Sequence, residues 1–141
     1  MASQWFVVKT FYRTTAEGAP QKPDRYYDPD LTMLEERLLL FKAKNREEAV
    51  KKAEKNAVEY AKSVQFTNPY GQKVHMEYLN LVDAFEVGKV LADKSEVFLV
   101  NRLISRRVPI KKIERLYLEK RSRNPVRSMG RKFLNNQYLT E

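Results

Sequence analysis

Leu34-Glu35-Glu36-Arg37-Leu38-Leu39-Leu40-Phe41-Lys42-Ala43-Lys44-Asn45-Arg46-Glu47-Glu48-Ala49-Val50 is the stretch on which the fold turns. Its first part fits two periods. Leu34, Leu38 and Phe41 share a helical face, whereas Leu34, Leu38 and Leu40 oppose Leu39 and Phe41 on a two-sided strand. Residues 32–44 are assigned as strand, because a long loop separates them from an earlier apolar run in the manner of a β-hairpin. At Asn45 the pattern changes. Asn is a strong N-cap, Glu48 three residues on completes a capping-box pattern, and Glu47 and Glu48 lie where the helix dipole favours anions. Val50, Ala53, Ala57, Tyr60/Ala61 and Val64 recur at helical spacing. The mostly alanine stripe predicts a helix over 46–65 lying close on a sheet.

Gln4–Thr14 is rich in aromatic and β-branched residues and reads as a strand. Phe6, Val8 and Tyr12 fall on one face, and Trp5, Val7 and Phe11 on the other, as expected for a strand with neighbours. Residues 15–30, with Gly18, Pro20, Pro23 and Pro29, form a loop that is long for a hairpin. Its Arg25-Tyr26-Tyr27-Asp28 segment is a place where function is often carried. After the helix, Asn68-Pro69-Tyr70-Gly71 predicts a type I turn. Residues 73–87 and 95–104 are then predicted as strands. The expected order is β-β-α-β-β: an α+β domain over 1–104, with an antiparallel sheet of about four strands and one helix packed on a face. One helix covers only one face, so the other needs the tail, a second subunit or water.

Residues 105–141 form a basic helical C-terminal extension. Pro109 suits a first helical position. Ile110, Ile113 and Leu116/Tyr117 share one face while Lys111, Lys112 and Arg115 project elsewhere, and Asn124-Pro125 ends the helix. The whole charge excess lies here. The net charge is +9, yet residues 1–101 hold 15 basic and 15 acidic side chains. Residues 102–141 hold 12 Lys/Arg against Glu114, Glu119 and Glu141. Such asymmetry points to an acidic partner.

The chemistry is narrowed by absences. Cysteine is missing, which removes disulfides and thiolate chemistry. One histidine, His75, is too few for most His-based metal sites. There is no nucleophile elbow, phosphate-binding glycine loop or Asp/Glu-x-Lys nuclease motif. Glu35 and Glu36 are adjacent on a strand and point to opposite faces, a poor arrangement for one metal. No apolar run is long enough for a membrane span, and the first residues lack the charge and apolar core of a secretory leader. No catalytic residue, metal or cofactor is therefore expected, and a cytoplasmic location is.

Trp5-Phe-Val-Val-Lys9, Glu35–Glu54, Asn68-Pro-Tyr-Gly-Gln-Lys-Val74, Leu81-Val-Asp-Ala-Phe-Glu86, Glu96-Val-Phe98 and Arg102-Leu-Ile104 form a recurring pattern. It resembles a family of small bacterial proteins classed only as a domain of unknown function, of the DUF4288 type, over about residues 4–104. The resemblance implies a bacterial cytosolic α+β domain and brings no catalytic residues; the basic stretch lies outside it. From the residues themselves, the expected function is a non-catalytic binding protein whose extension engages an acidic partner, nucleic acid before acidic protein. Lys111, Lys112, Arg115, Arg121, Arg123, Arg127, Arg131 and Lys132 would meet phosphates, and Tyr117 and Phe133 would stack on bases. The alternative is a protein-protein interaction or immunity-like accessory module using the uncovered sheet face. A homo-oligomer is compatible with either.

Overall fold

The computed structural model describes residues 2–118. The elements are β1 (Gln4–Glu17), β2 (Met33–Ala43), α1 (Arg46–Ser63), β3 (Gln65–Thr67), β4 (Lys73–Gly88) and α2 (Ile110–Tyr117). The strands form one four-stranded antiparallel sheet in the order β2-β1-β4-β3. The strand β1 thus lies inside the sheet, as its two apolar faces require.

The fourth strand expected at 95–104 is not formed. Residues 89–104 carry no ladder, and the order β-β-α-β-β is kept by the three-residue β3, which borders only Lys73–His75. The apolar, β-branched composition of 95–104 favours extension, but composition alone does not supply a pairing partner. Phe98 of this segment instead meets the second sheet face. Phe98 sits 6.0 Å from the Phe85 ring, and Lys9 Nζ is 4.1 Å from the centre of the Phe98 ring.

The strand-to-helix junction forms as its local chemistry dictates. Asn45 Oδ1 accepts from Glu48 N–H at 2.8 Å, and Glu48 Oε2 accepts from the N–H of Lys44 at 2.9 Å, one residue before the usual reciprocal contact. That backbone hydrogen bond, with Lys52 nearby, holds the Glu48 carboxyl below its ordinary range. The buried stripe of α1 is Ala49, Ala53, Ala57 and Ala61, with Val50 at its margin. Methyl-sized side chains bring the helix axis close to the sheet. Ala49 and Ala53 pack with Phe6, Val8 and Ala43, and Ala57 and Ala61 pack with Tyr12.

Tyr12, fully buried, is the centre of an aromatic cluster. Its ring meets Tyr60 edge-on at 5.0 Å and Tyr78 at 5.7 Å. Its hydroxyl and that of Thr10 share a 2.7 Å hydrogen bond. Tyr60 donates to Glu35 and Tyr78 to Glu54, while the Arg37 guanidinium lies 3.8 Å from the Tyr60 ring centre. Burial, then the Glu35 carboxylate, pushes the Tyr60 hydroxyl up to about 12; burial and Glu54 push Tyr78 in the same direction. A raised value means that the neutral phenol is favoured in the folded state. This stabilisation is complete below the ordinary tyrosine range, near pH ~10, and is lost as pH rises through the folded value. Tyrosinate absorbance is expected to show Tyr60 and Tyr78 ionising above the ordinary tyrosine range. Ionisation of both within that range would break the link to Glu35 and Glu54.

Asn68–Gly71 makes the expected turn, with Gly71 N–H donating to Asn68 C=O at 2.9 Å. Gly71 adopts φ +77°, a backbone region open to glycine at little cost. The turn also clasps the long loop. Tyr70, fully buried, donates to Asp24 Oδ1 at 2.6 Å and meets Tyr27 edge-on at 5.1 Å. Gln72 Nε2 donates to Gly18 C=O at 2.8 Å, and Gln21 N–H to Tyr70 C=O at 2.7 Å. The Arg25–Asp28 segment is therefore anchored at its base, with Arg25 and Tyr26 left on the outside.

Candidate nucleic-acid interface

The C-terminal basic surface starts before the helix. Ser105 closes a turn, its C=O accepting from Val108 N–H at 3.1 Å and its Oγ from Arg107 N–H at 3.2 Å. This turns Arg106 and Arg107 outward. Pro109 is the N-cap, one position before the expected one, and Ile110 opens α2. A proline cap has no side-chain acceptor, and the first turn carries no acidic residue. It carries Lys111 and Lys112, which the positive end of the helix dipole disfavours. An anion at this end would relieve both the uncapped N–H groups and the two ammonium groups.

Lys111, Lys112 and Arg115 are exposed, as are Arg102, Arg106 and Arg107. Among the described residues, none of the six is held in an ion pair with a carboxylate. Arg102, Arg106 and Arg107 extend the exposed basic stretch, which the sequence alone places only from Lys111 onward. The Ser105-Arg106-Arg107 run beside a proline is the signal that extends it. Tyr117 is about half exposed but is not a bare stacking platform, because the Arg102 guanidinium lies 4.6 Å from its ring centre. The remaining candidates, Arg121, Arg123, Arg127, Arg131, Lys132 and Phe133, lie outside the described residues.

The apolar face of α2 is equally informative. Ile110 is 81% exposed, Leu116 and Leu118 are also exposed, and no residue of α2 is buried. Among the described residues no sheet lies beneath this amphipathic helix, and within it only Ile113 and Glu114 are partly covered.

Other polar clusters are committed to the fold. Glu35 accepts from Tyr60 on the helix side of the sheet, while Glu36 pairs with Lys9 at 2.7 Å on the opposite side. The two carboxylates point apart, as their spacing requires. His75 Nε2 lies 3.7 Å from Glu17 Oε1 on the neighbouring strand. Among the described residues no group of three or more His, Asp or Glu side chains is placed to hold a metal ion. No described helix is long and apolar enough to cross a membrane.

The family described as Domain of unknown function (DUF4288) matches this sequence over residues 5–99. The chain belongs to the DUF4288 family. The DUF4288 region thus runs from β1 through the Phe98 contact and stops before the Arg102–Arg115 surface, leaving the Arg102-Leu-Ile104 motif of the sequence resemblance beyond the match. The clasping Asn68–Gln72 turn and the junction at Asn45 lie inside it. No curated protein and no solved structure matches the chain.

Proposed function

We propose that this DUF4288 protein is a non-catalytic binding protein whose basic C-terminal stretch engages an acidic partner, nucleic acid in the first place. The observation that carries the reading is the exposure of Arg102, Arg106, Arg107, Lys111, Lys112 and Arg115 on one short stretch, with no ion pair to a described carboxylate. Guanidinium and ammonium groups presented this way neutralise phosphates with little regard to base sequence. The neutral 1–101 body would then carry the extension without adding to the attraction.

The test is the salt dependence of binding by the full chain to DNA, to RNA and to heparin. If about six phosphates are contacted, affinity falls by roughly a thousandfold between ~50 and ~200 mM salt. DNA or RNA must also be held more tightly than heparin at equal charge. Equal retention on all three would reduce the reading to generic polyanion binding, and no retention at low salt would end it. A protein-interaction module is the second reading, favoured by the exposed Leu34, Leu38 and Leu40 on the face opposite α1. An apolar interface of that kind predicts little salt dependence.

A further inference from the structure

The sheet has two unequal edges. On one side β3 is only three residues long, and the rest of β4 is interrupted by a register shift opposite Thr10–Tyr12, with Asn80 at φ 59°. A short strand and a bulge are the usual ways of blunting an edge. On the other side β2 runs eleven residues in unbroken register with β1, from Met33 opposite Thr14 to Ala43 opposite Gln4, with no proline or bulge. The direction of its open backbone groups follows from one contact. Lys42 C=O accepts from Lys52 Nζ at 2.7 Å, so it faces away from β1. Backbone direction alternates along a strand, so the N–H and C=O groups of Leu34, Glu36, Leu38 and Leu40 face outward as well. Among the described residues, no hydrogen bond outside the strand ladder reaches these groups. The same residues carry their side chains on the face opposite α1, where Leu34, Leu38 and Leu40 are exposed.

We propose that β2 is a dimer edge: it pairs antiparallel with β2 of a second copy of this chain, joining two four-stranded sheets into one. The sequence of β2 is complementary to itself in one register. A two-fold axis can set outward residues only against outward residues, so the pairing must be centred on a residue. Centred on Arg37 it would stack Arg37 on itself. Centred on Leu38 or on Leu40 it would set a leucine opposite Glu36 or opposite Lys42. Centred on Leu39 it sets Leu38 opposite the second copy's Leu40 and Glu36 opposite the second copy's Lys42, each twice by symmetry, and its leucine–lysine juxtaposition, Leu34 with Lys44, falls past the end of the strand at Ala43. Glu36 already holds Lys9, yet its side chain remains 48% exposed and can take a second cation. The Lys42 carbonyl has a second lone pair for the incoming Glu36 N–H beside Lys52. Leu39 meets its own copy on the helix side.

The full chain is then expected to sediment at twice its 16.7 kDa mass. Glu36→Lys and Lys42→Glu each replace two attractions by two repulsions, and each weakens the dimer by about tenfold or more. Mixing the two variants restores it, because in the heterodimer both pairs again set a lysine against a glutamate. This rescue also shows that both variants are folded. A wild-type monomer at high micromolar concentration overturns the proposal. Variants that dimerise like the wild type overturn the register and the interface with it. Slow hydrogen exchange at the Leu38 and Leu40 amides in a monomeric wild type overturns it in favour of a segment of the chain covering its own edge.

Discussion

Replacing Lys111, Lys112 and Arg115 together with glutamate is expected to abolish retention on nucleic acid. Each change removes one phosphate-neutralising group and installs a repelling one, so the local charge changes by about six units within α2. Counterion release scales with the number of phosphates contacted, and losing three contacts also flattens the salt slope by about 2.7. Nothing in the fold should suffer, because the three side chains are exposed and no residue of α2 is buried. Glutamates in the first turn also suit the helix dipole better than the lysines they replace. The variant should therefore unfold in urea at the wild-type midpoint while losing binding. Undiminished affinity would move the acidic partner away from α2, and a shifted midpoint would mean that α2 is held by the domain.

Tyr12→Ala is expected to destabilise the domain by about 3–5 kcal/mol, a large part of the ~5–15 kcal/mol that holds a domain of this size. Its ring is the common contact of Tyr60, Tyr78 and the Ala57–Ala61 end of α1. Removing it leaves a cavity bordered by a helix that alanines have already brought as close as it can come. The partners cannot collapse inward, because Tyr60 and Tyr78 are tied by their hydroxyls to Glu35 and Glu54. Tyr12→Phe separates volume from polarity. It keeps the ring and gives up only the Thr10 hydrogen bond, at a cost of about 1 kcal/mol. Urea denaturation of the two variants measures the difference, and a Tyr12→Ala loss no larger than that of Tyr12→Phe would show that the cavity relaxes.

What can be read from the chain follows the range of the interactions involved. The β2–α1 junction is legible because cap chemistry is settled locally, from Lys44 to Glu48. The two-faced apolar pattern of β1 is enough to place it inside the sheet. The 95–104 segment misleads because its composition reports a preference for extension and says nothing of whether an edge is free. The strand β3 escapes because three residues carry no period. The clasp of Tyr70 on Asp24 joins residues 46 apart, and no local rule reaches that far. On the candidate interface, the charge is visible as composition. The covering of Tyr117 by Arg102 is not, since it depends on how the Ser105 turn folds the chain back.

The place of β1 has a consequence for how the protein is made. It leaves the ribosome before the other strands of the sheet, and β2 and α1 can close against it soon afterwards. Its other neighbour, β4, begins only at Lys73. At ordinary synthesis rates, roughly 3–11 s separate the end of β1 from the start of β4. Throughout that interval the nascent chain presents the β4-facing edge of β1, with Phe6, Val8 and Tyr12 only partly covered. Closing the sheet then requires pairing Trp5 with Gly88, a contact across most of the domain that makes for slow folding. The strand that anchors the finished core is thus, during synthesis, the segment in greatest need of a chaperone.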